Sequence, residues 1–150
     1  MFQNILVLCT GNICRSPYAA AYLKEQVPSL VVASAGLGAL VGHGADRTGQ
    51  QLALARGIDL SDHEARQVNR RLLSEADLVL VMEDAHLKTL FDKYPDTRGK
   101  TFKLARWLQD RDITDPFQKS TTLFNLVLDD IEAAVQSWRP KLETQATSRE

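Results

Sequence analysis

The sequence predicts an α/β fold, a small doubly wound sheet of four parallel strands with helices on both faces. Short apolar runs rich in Val, Ile and Leu occupy residues 2–8, 30–33 and 78–81, and residues 101–104 supply a fourth, weaker run. Such runs mark strands buried on both faces. Segments with apolar residues at helical spacing lie between them, and that alternation implies parallel βαβ units. With 150 residues, 44% hydrophobic and 25% charged, the chain has the size and composition of one soluble domain around one core.

Taken in order, the first strand (Phe2 to Leu8) runs into a loop from Cys9 to Arg15. Ser16-Pro17 then reads as the N-cap and first residue of a helix that carries Ala20, Leu23 and Val27 on one face. A second strand, Leu30 to Ala33, leads into the glycine-rich SAGLGALVGHG. Asp46 to Arg56 is helical and stops at Gly57, a C-terminal cap. Leu72 to Ala76 is a short helix, Leu78 to Val81 a strand, and Asp84 to Tyr94 a helix ended by Pro95. Thr101 to Leu104 is the last strand, followed by an aspartate-rich loop, Asp110 to Pro116. Leu123, Val127, Ile131, Val135 and Trp138 mark a long closing helix. The expected domain covers residues 1–143, and the polar residues 144–150 form a flexible tail.

Eighteen basic against nineteen acidic residues leave a net charge of −1, which argues against nucleic acid and against a polybasic membrane surface. The basic cluster from Arg66 to Arg71 reads as a solvated helix face. No apolar run reaches bilayer length, no basic leader precedes the first strand, and no membrane insertion is expected. The two cysteines, Cys9 and Cys14, share one loop, unlike a disulfide framework, so a reducing, cytoplasmic setting is expected. Their spacing suits one half of a zinc site, yet His43, His63 and His86 supply no matching pair, so no metal and no cofactor are expected.

The loop VLCTGNICRSP joins the end of a strand to the start of a helix, the place where open α/β sheets bind ligands. Its backbone N–H groups, from Thr10 through Gly11, Asn12, Ile13 and Cys14, can form an anion nest helped by the helix dipole. Gly11 opens backbone angles that other residues resist, and Asn12 tolerates the left-handed region. Arg15 offers a planar fork for two phosphate oxygens. Cys9 lies at the floor of this electropositive cup, poised as a thiolate that can attack phosphorus. The signature is Cys9-x5-Arg15-Ser16.

CTGNICRSP resembles the active-site loop of the low-molecular-weight protein tyrosine phosphatases. The resemblance extends along the chain through SAG at Ser34 to Gly36, HEARQV at His63 to Val68, and Asp115-Pro116. Within that family, MFQNILVLC, SAGLGALVG and DPFQKS are most similar to the bacterial subgroup associated with exopolysaccharide export. The resemblance implies a flavodoxin-like strand order and a two-step reaction through a cysteinyl-phosphate on Cys9. Phenolate leaves poorly, so a proton donor is needed. Spacing leaves Asp110, Asp112 and Asp115 open; the resemblance selects Asp115, the aspartate before proline. It also implies that the Ser16 hydroxyl stabilises the thiolate, a role the same oxygen can combine with capping the helix. Asn12, Ser34 and His63 are implied to support the loop, and Leu40 and Phe117 to wall the cleft. The implied partner is a phosphotyrosine protein, the tyrosine-rich tail of a membrane-anchored bacterial tyrosine kinase, with inorganic phosphate as product and inhibitor.

Two related activities share this fold. Arsenate reductases need further cysteines for a disulfide relay, and this chain has only Cys14 besides Cys9. Protein arginine phosphatases typically carry threonine where Ile13 stands, although Phe117 after Asp-Pro occurs among them too. Cys14 is close enough in sequence to pair reversibly with Cys9 on oxidation.

Overall fold

The computed structural model describes residues 2–147. Its sheet has four strands, β1 (Asn4–Cys9), β2 (Val31–Gly36), β3 (Leu78–Val81) and β4 (Thr101–Lys103). All pair in parallel, in the order β2-β1-β3-β4. This is the expected fold class and strand order. The helices are α1 (Arg15–Gln26), α2 (Arg47–Ala55), α3 (Arg70–Glu75), α4 (Asp84–Lys93) and α5 (Thr121–Thr147), with a 3-10 turn at Pro95–Lys100.

Alternation along the strands divides the core in two. Ile5, Val7 and Cys9 of β1 and Leu80 of β3 face α1, α2 and α5, meeting Tyr18, Leu23, Ala53, Phe124 and Ile131. Leu6, Leu8, Val79 and Val81 face the other way, onto Leu72 and Leu73 of α3 and Leu90 of α4. Both faces are therefore covered, which explains why the strand sequences are apolar without a period of two. Trp138 of α5 donates its indole N–H to the Leu104 carbonyl (2.8 Å), tying the closing helix to the end of β4.

The chain leaves β1 for β2 on one side and reaches β3 on the other, so the topological switch point lies at the carboxyl end of β1, at Cys9. The segments leaving β2, β3 and β4 gather at the same end of the sheet.

Several expectations need correcting. The first helix begins at Arg15, so Ser16 is inside it; the N-cap position is Cys14, with no side-chain cap. Gly11 does not use a positive φ, whereas Asn12 does (φ 58°). The glycine that sterics demand is Gly36: a Cβ there would lie 2.5 Å from the Thr10 carbonyl oxygen. The basic cluster is not one helix face, because residues 66–69 precede α3 and only Arg70 and Arg71 are helical. Gly57 does follow the end of α2 with φ 86°, the left-handed stop expected of it. The expected tail begins inside α5, which continues to Thr147, and residues 148–150 lie outside the described residues.

Candidate active site

Residues 11–14 belong to neither strand nor helix, and their shape follows from where the backbone carbonyls go. Five consecutive carbonyls accept hydrogen bonds from surrounding segments. Leu37 N–H donates to Cys9 (3.0 Å), Gly38 N–H to Thr10 (3.0 Å), Leu40 N–H to Gly11 (3.1 Å) and Asp46 N–H to Ile13 (2.9 Å). His63 Nε2 donates to the Asn12 carbonyl (2.6 Å). In a planar trans peptide the N–H points opposite to the carbonyl. The amides of Thr10, Gly11, Asn12, Ile13 and Cys14 are thus turned away from those outer partners, toward the concave side of the loop. The start of α1 at Arg15 adds its partial positive charge. The outward-tied carbonyls give the inward array of amides that an anion nest requires.

Asn12 is the hub. It is fully buried, and its amide nitrogen donates to Ser16 Oγ (2.8 Å) and Ser34 Oγ (3.0 Å). Its amide oxygen accepts from Arg66 N–H (3.0 Å). Every polar atom of this side chain is used, which holds the residue in a left-handed conformation that costs other side chains about 1 kcal/mol or more. Ser16 Oγ, already accepting from Asn12, lies 2.9 Å from Cys9 Sγ, and Ser16 N–H donates to the same sulfur at 3.4 Å. The hydroxyl proton is free to face the sulfur, so Ser16 offers two donors to a thiolate. A weaker contact to the Ala35 carbonyl, at 3.5 Å, competes for that proton. Ser34 and His63 both hydrogen-bond Asn12, one at its side chain and the other at its carbonyl.

Arg15 is 1% exposed. Its NH1 donates to Glu83 and to the Ile113 carbonyl (2.7 Å), and its NH2 lies 3.7 Å from Asp115 Oδ2. Among the described residues its Nε has no partner, leaving a buried donor for a ligand. Glu83 anchors the guanidinium from behind and fixes its plane. Beside it His86, 5% exposed, accepts Met82 N–H at Nδ1 (3.3 Å), so Nε2 carries the proton and donates to Thr10 Oγ1 (2.9 Å). Burial and the neighbouring Arg15 charge push the His86 pKa below its ordinary value, which keeps the ring neutral.

Above this floor opens a cleft of about 180 Å³. Cys9, Arg15 and Asp115 line it together with Ile13, Leu40 and Phe117. Asp115 is about half exposed and accepts Phe117 N–H (3.0 Å), a turn that sets the two side chains side by side. Leu40 and Phe117 are partly exposed across the mouth. Of the three aspartates left open by spacing, Asp115 alone lines the cleft; Asp110 and Asp112 bind Lys103 instead. Cys14 is a free, buried thiol whose pKa is pushed well up by burial, then by Asp46 and Asp115, so it is no competing nucleophile. No group of three or more His, Cys, Asp or Glu among the described residues is placed to hold a metal ion.

Sequence reasoning missed Glu83, His86 and Arg66. The first two follow β3, which ends beside β1 at the switch point, so a polar residue just after an apolar strand was the available signal. Arg66 carried none: it acts through its backbone N–H, and its Nε donates to the Ser34 carbonyl (3.0 Å).

Residues 4–148 match the family model described as low molecular weight phosphotyrosine protein phosphatase. The low molecular weight protein-tyrosine-phosphatase Wzb of Salmonella typhimurium is 46% identical over 145 residues, 97% of each chain. Among solved structures, Vibrio vulnificus Wzb in complex with benzylphosphonate is similar at TM-score 0.92 and 38% identity, over 95% of this chain and all of that one. The YwlE arginine phosphatase from Geobacillus stearothermophilus is similar at TM-score 0.91 and 32% identity, over 99% of this chain and 97% of that one.

Proposed function

The chain belongs to the low molecular weight phosphotyrosine protein phosphatase family, and from that premise we propose how its residues divide the work. The Cys9 thiolate attacks phosphorus; an S–P bond forms as the P–O bond to the tyrosine oxygen breaks. Asp115 gives its proton to that departing oxygen. Water then attacks the cysteinyl-phosphate, Asp115 takes the water proton, the S–P bond breaks and inorganic phosphate leaves. The inward amides and Arg15 hold the three non-bridging oxygens throughout, and Ser16 stabilises the sulfur when it leaves. The observation that carries this reading is the stacking of parts: a sulfur with two donors below the nest, and a carboxylate 3.7 Å from Arg15 above it.

Phosphotyrosine is the substrate that best fits the walls. Ile13, Leu40 and Phe117 are apolar, and Phe117 can stack on a phenol ring. A guanidinium phosphate asks for a further acceptor, and Asp115 is the one carboxylate among the lining residues. The likeness to an arginine phosphatase makes that the reading to test against. The physiological partner we propose is the tyrosine-rich tail of a membrane-anchored bacterial tyrosine kinase in exopolysaccharide export, met in the cytoplasm. Its support is the resemblance of the SAGLGALVG and DPFQKS segments to that subgroup. No helix among the described residues is long and apolar enough to cross a membrane. The deciding experiment is kcat/KM on matched phosphotyrosine and phosphoarginine peptides in EDTA, with Cys9→Ser as blank. A preference for phosphotyrosine is expected. Preference for phosphoarginine would keep the thiolate chemistry and overturn the substrate.

A further inference from the structure

Lys103 is the last residue of β4, and its side chain is only 3% exposed. A buried ammonium survives only when it is paired. Three aspartates answer this one: Asp84 Oδ1 at 2.9 Å, Asp112 Oδ1 at 3.2 Å and Asp110 Oδ2 at 3.9 Å. Lys103 also donates to the Asp110 backbone carbonyl. Burial works against its charge, yet the bonds from Asp84 and Asp112 hold its pKa above the ordinary lysine value. Asp84 opens α4, while Asp110 and Asp112 belong to the loop after β4. Asp112 Oδ1 accepts the Asp84 N–H as well (3.0 Å), so a single cation pins that loop to the N-terminus of α4.

The pin lies a few residues from the chemistry. Gln109 and Asp110 both take a left-handed backbone (φ 63° and 52°) although neither is glycine, a conformation that persists only where neighbours impose it. Just past the pin, Ile113 is fully buried; its N–H donates to the Met82 carbonyl (2.9 Å) and its own carbonyl accepts from Arg15. Two residues further stands Asp115. We propose that Lys103 is a positioning residue for proton transfer: by gathering Asp84, Asp110 and Asp112 it sets the loop that holds Asp115 over the phosphate cradle. This rests on the reading of Asp115 as the proton donor. Lys103 touches neither substrate nor sulfur. Without it, Asp84 and Asp112 converge with no shared cation, Asp110 keeps only Arg106 among the described residues, and the loop is pushed outward. The cradle keeps its outward-tied carbonyls and the Glu83 contact to Arg15.

The test is Lys103→Met, which keeps length and removes charge, assayed beside Asp115→Ala and the double variant. Two substrates are compared: a phosphotyrosine peptide, and an aryl phosphate whose strongly acidic phenol leaves without a proton. Lys103→Met should lower kcat/KM on phosphotyrosine by roughly 10- to 100-fold, part of what a general acid supplies, and by less than about 3-fold on the acidic ester. Because Lys103 acts through Asp115, the double variant should be no slower on phosphotyrosine than Asp115→Ala alone. Equal losses on both esters, or losses that multiply in the double variant, overturn the proposal. If Asp115→Ala itself shows no dependence on the leaving group, the acid has been misassigned, and the proposal falls for that separate reason. Should Lys103→Met fail to fold, Asp112→Asn answers in the same assay with a smaller loss in the same direction. No selective loss there also overturns the idea.

Discussion

The phosphate cradle and the loop that brings Asp115 to it are built on opposite plans. In the cradle, five successive carbonyls are tied outward, Asn12 has no spare valence, and Cys9, Asn12, Arg15 and Ser16 are all buried. In the Asp115 loop, the buried Ile113 and Pro116 and the buried cation Lys103, helped by the exposed pairs Arg106–Asp110 and Arg111–Asp130, hold a segment whose working carboxylate is about half exposed. The difference matches the tasks. A nucleophile and its anion nest gain from being fixed before substrate arrives, since preorganised dipoles need no rearrangement at the moment of reaction. A proton donor that becomes a base in the next step must meet first the tyrosine oxygen and then water, so it belongs at the open rim.

That contrast predicts how each region fails. Cys9→Ser should remove turnover by something on the order of 10⁶-fold, the scale of deleting a covalent nucleophile. Phosphate affinity, measured by calorimetry, should persist, because the nest does not depend on the sulfur. Lost phosphate binding would mean that the cradle is held together through Cys9 and is less over-determined than its hydrogen bonds suggest. Asp115→Ala comes next, with a loss of about 10²- to 10³-fold on phosphotyrosine, within the range for a general acid. Its melting temperature should stay close to that of the parent. A large thermal loss would make Asp115 a structural brace rather than an exposed donor.

The cradle was the more legible region because its parts are contiguous. Cys9, Asn12, Arg15 and Ser16 fall within eight residues, and the apolar strand before them fixes their place in the sheet. What surrounds it was less legible. Glu83, His86 and Lys103 are ordinary polar residues on other elements, and only the order β2-β1-β3-β4 brings β3 and β4 to that side of the loop. Ser16 carried a cap reading beside that of catalytic support because Ser-Pro suits a helix start. The helix instead starts two residues earlier, at Arg15, and Asn12 and Cys9 claim the serine oxygen. Among the three aspartates, spacing had no means of choosing; Lys103 takes Asp110 and Asp112, and that contact depends on a side chain buried at the end of β4.

Glycine offers a sharper test of the same contrast. Gly36→Ala places a Cβ 2.5 Å from the Thr10 carbonyl and 3.1 Å from Ala39, both backbone-anchored. Overpacking of this kind costs about 1–3 kcal/mol, and here it should also displace the cradle, lowering phosphate affinity together with stability. Gly11→Ala, though inside the loop, would meet Ile13 and Leu40 at ordinary distances of 3.6 and 3.8 Å and should cost far less. The reverse ranking in chemical denaturation would mean that the loop is fixed by its own glycine rather than by its neighbours.

The smallest effect comes from His86, which supports the cradle through Thr10. Burial first, and then the Arg15 charge, depress its pKa in the folded protein, although Glu83, Asp112 and Asp115 pull the other way. The unfolded chain therefore takes up a proton near the ordinary imidazole pKa of about 6.5 that the folded chain resists. Stability from this group is fully present above that pH and is lost as pH falls below it, with a slope no steeper than about 1.4 kcal/mol per pH unit. Melting curves between pH 7.5 and 5 should show the decline for the parent and for Asp115→Ala alike. His86→Gln, which can still donate to Thr10, should flatten it. If Asp115→Ala flattens the decline instead, the titrating partner lies in the Asp115 loop, and the two regions are coupled more tightly than their hydrogen bonds indicate.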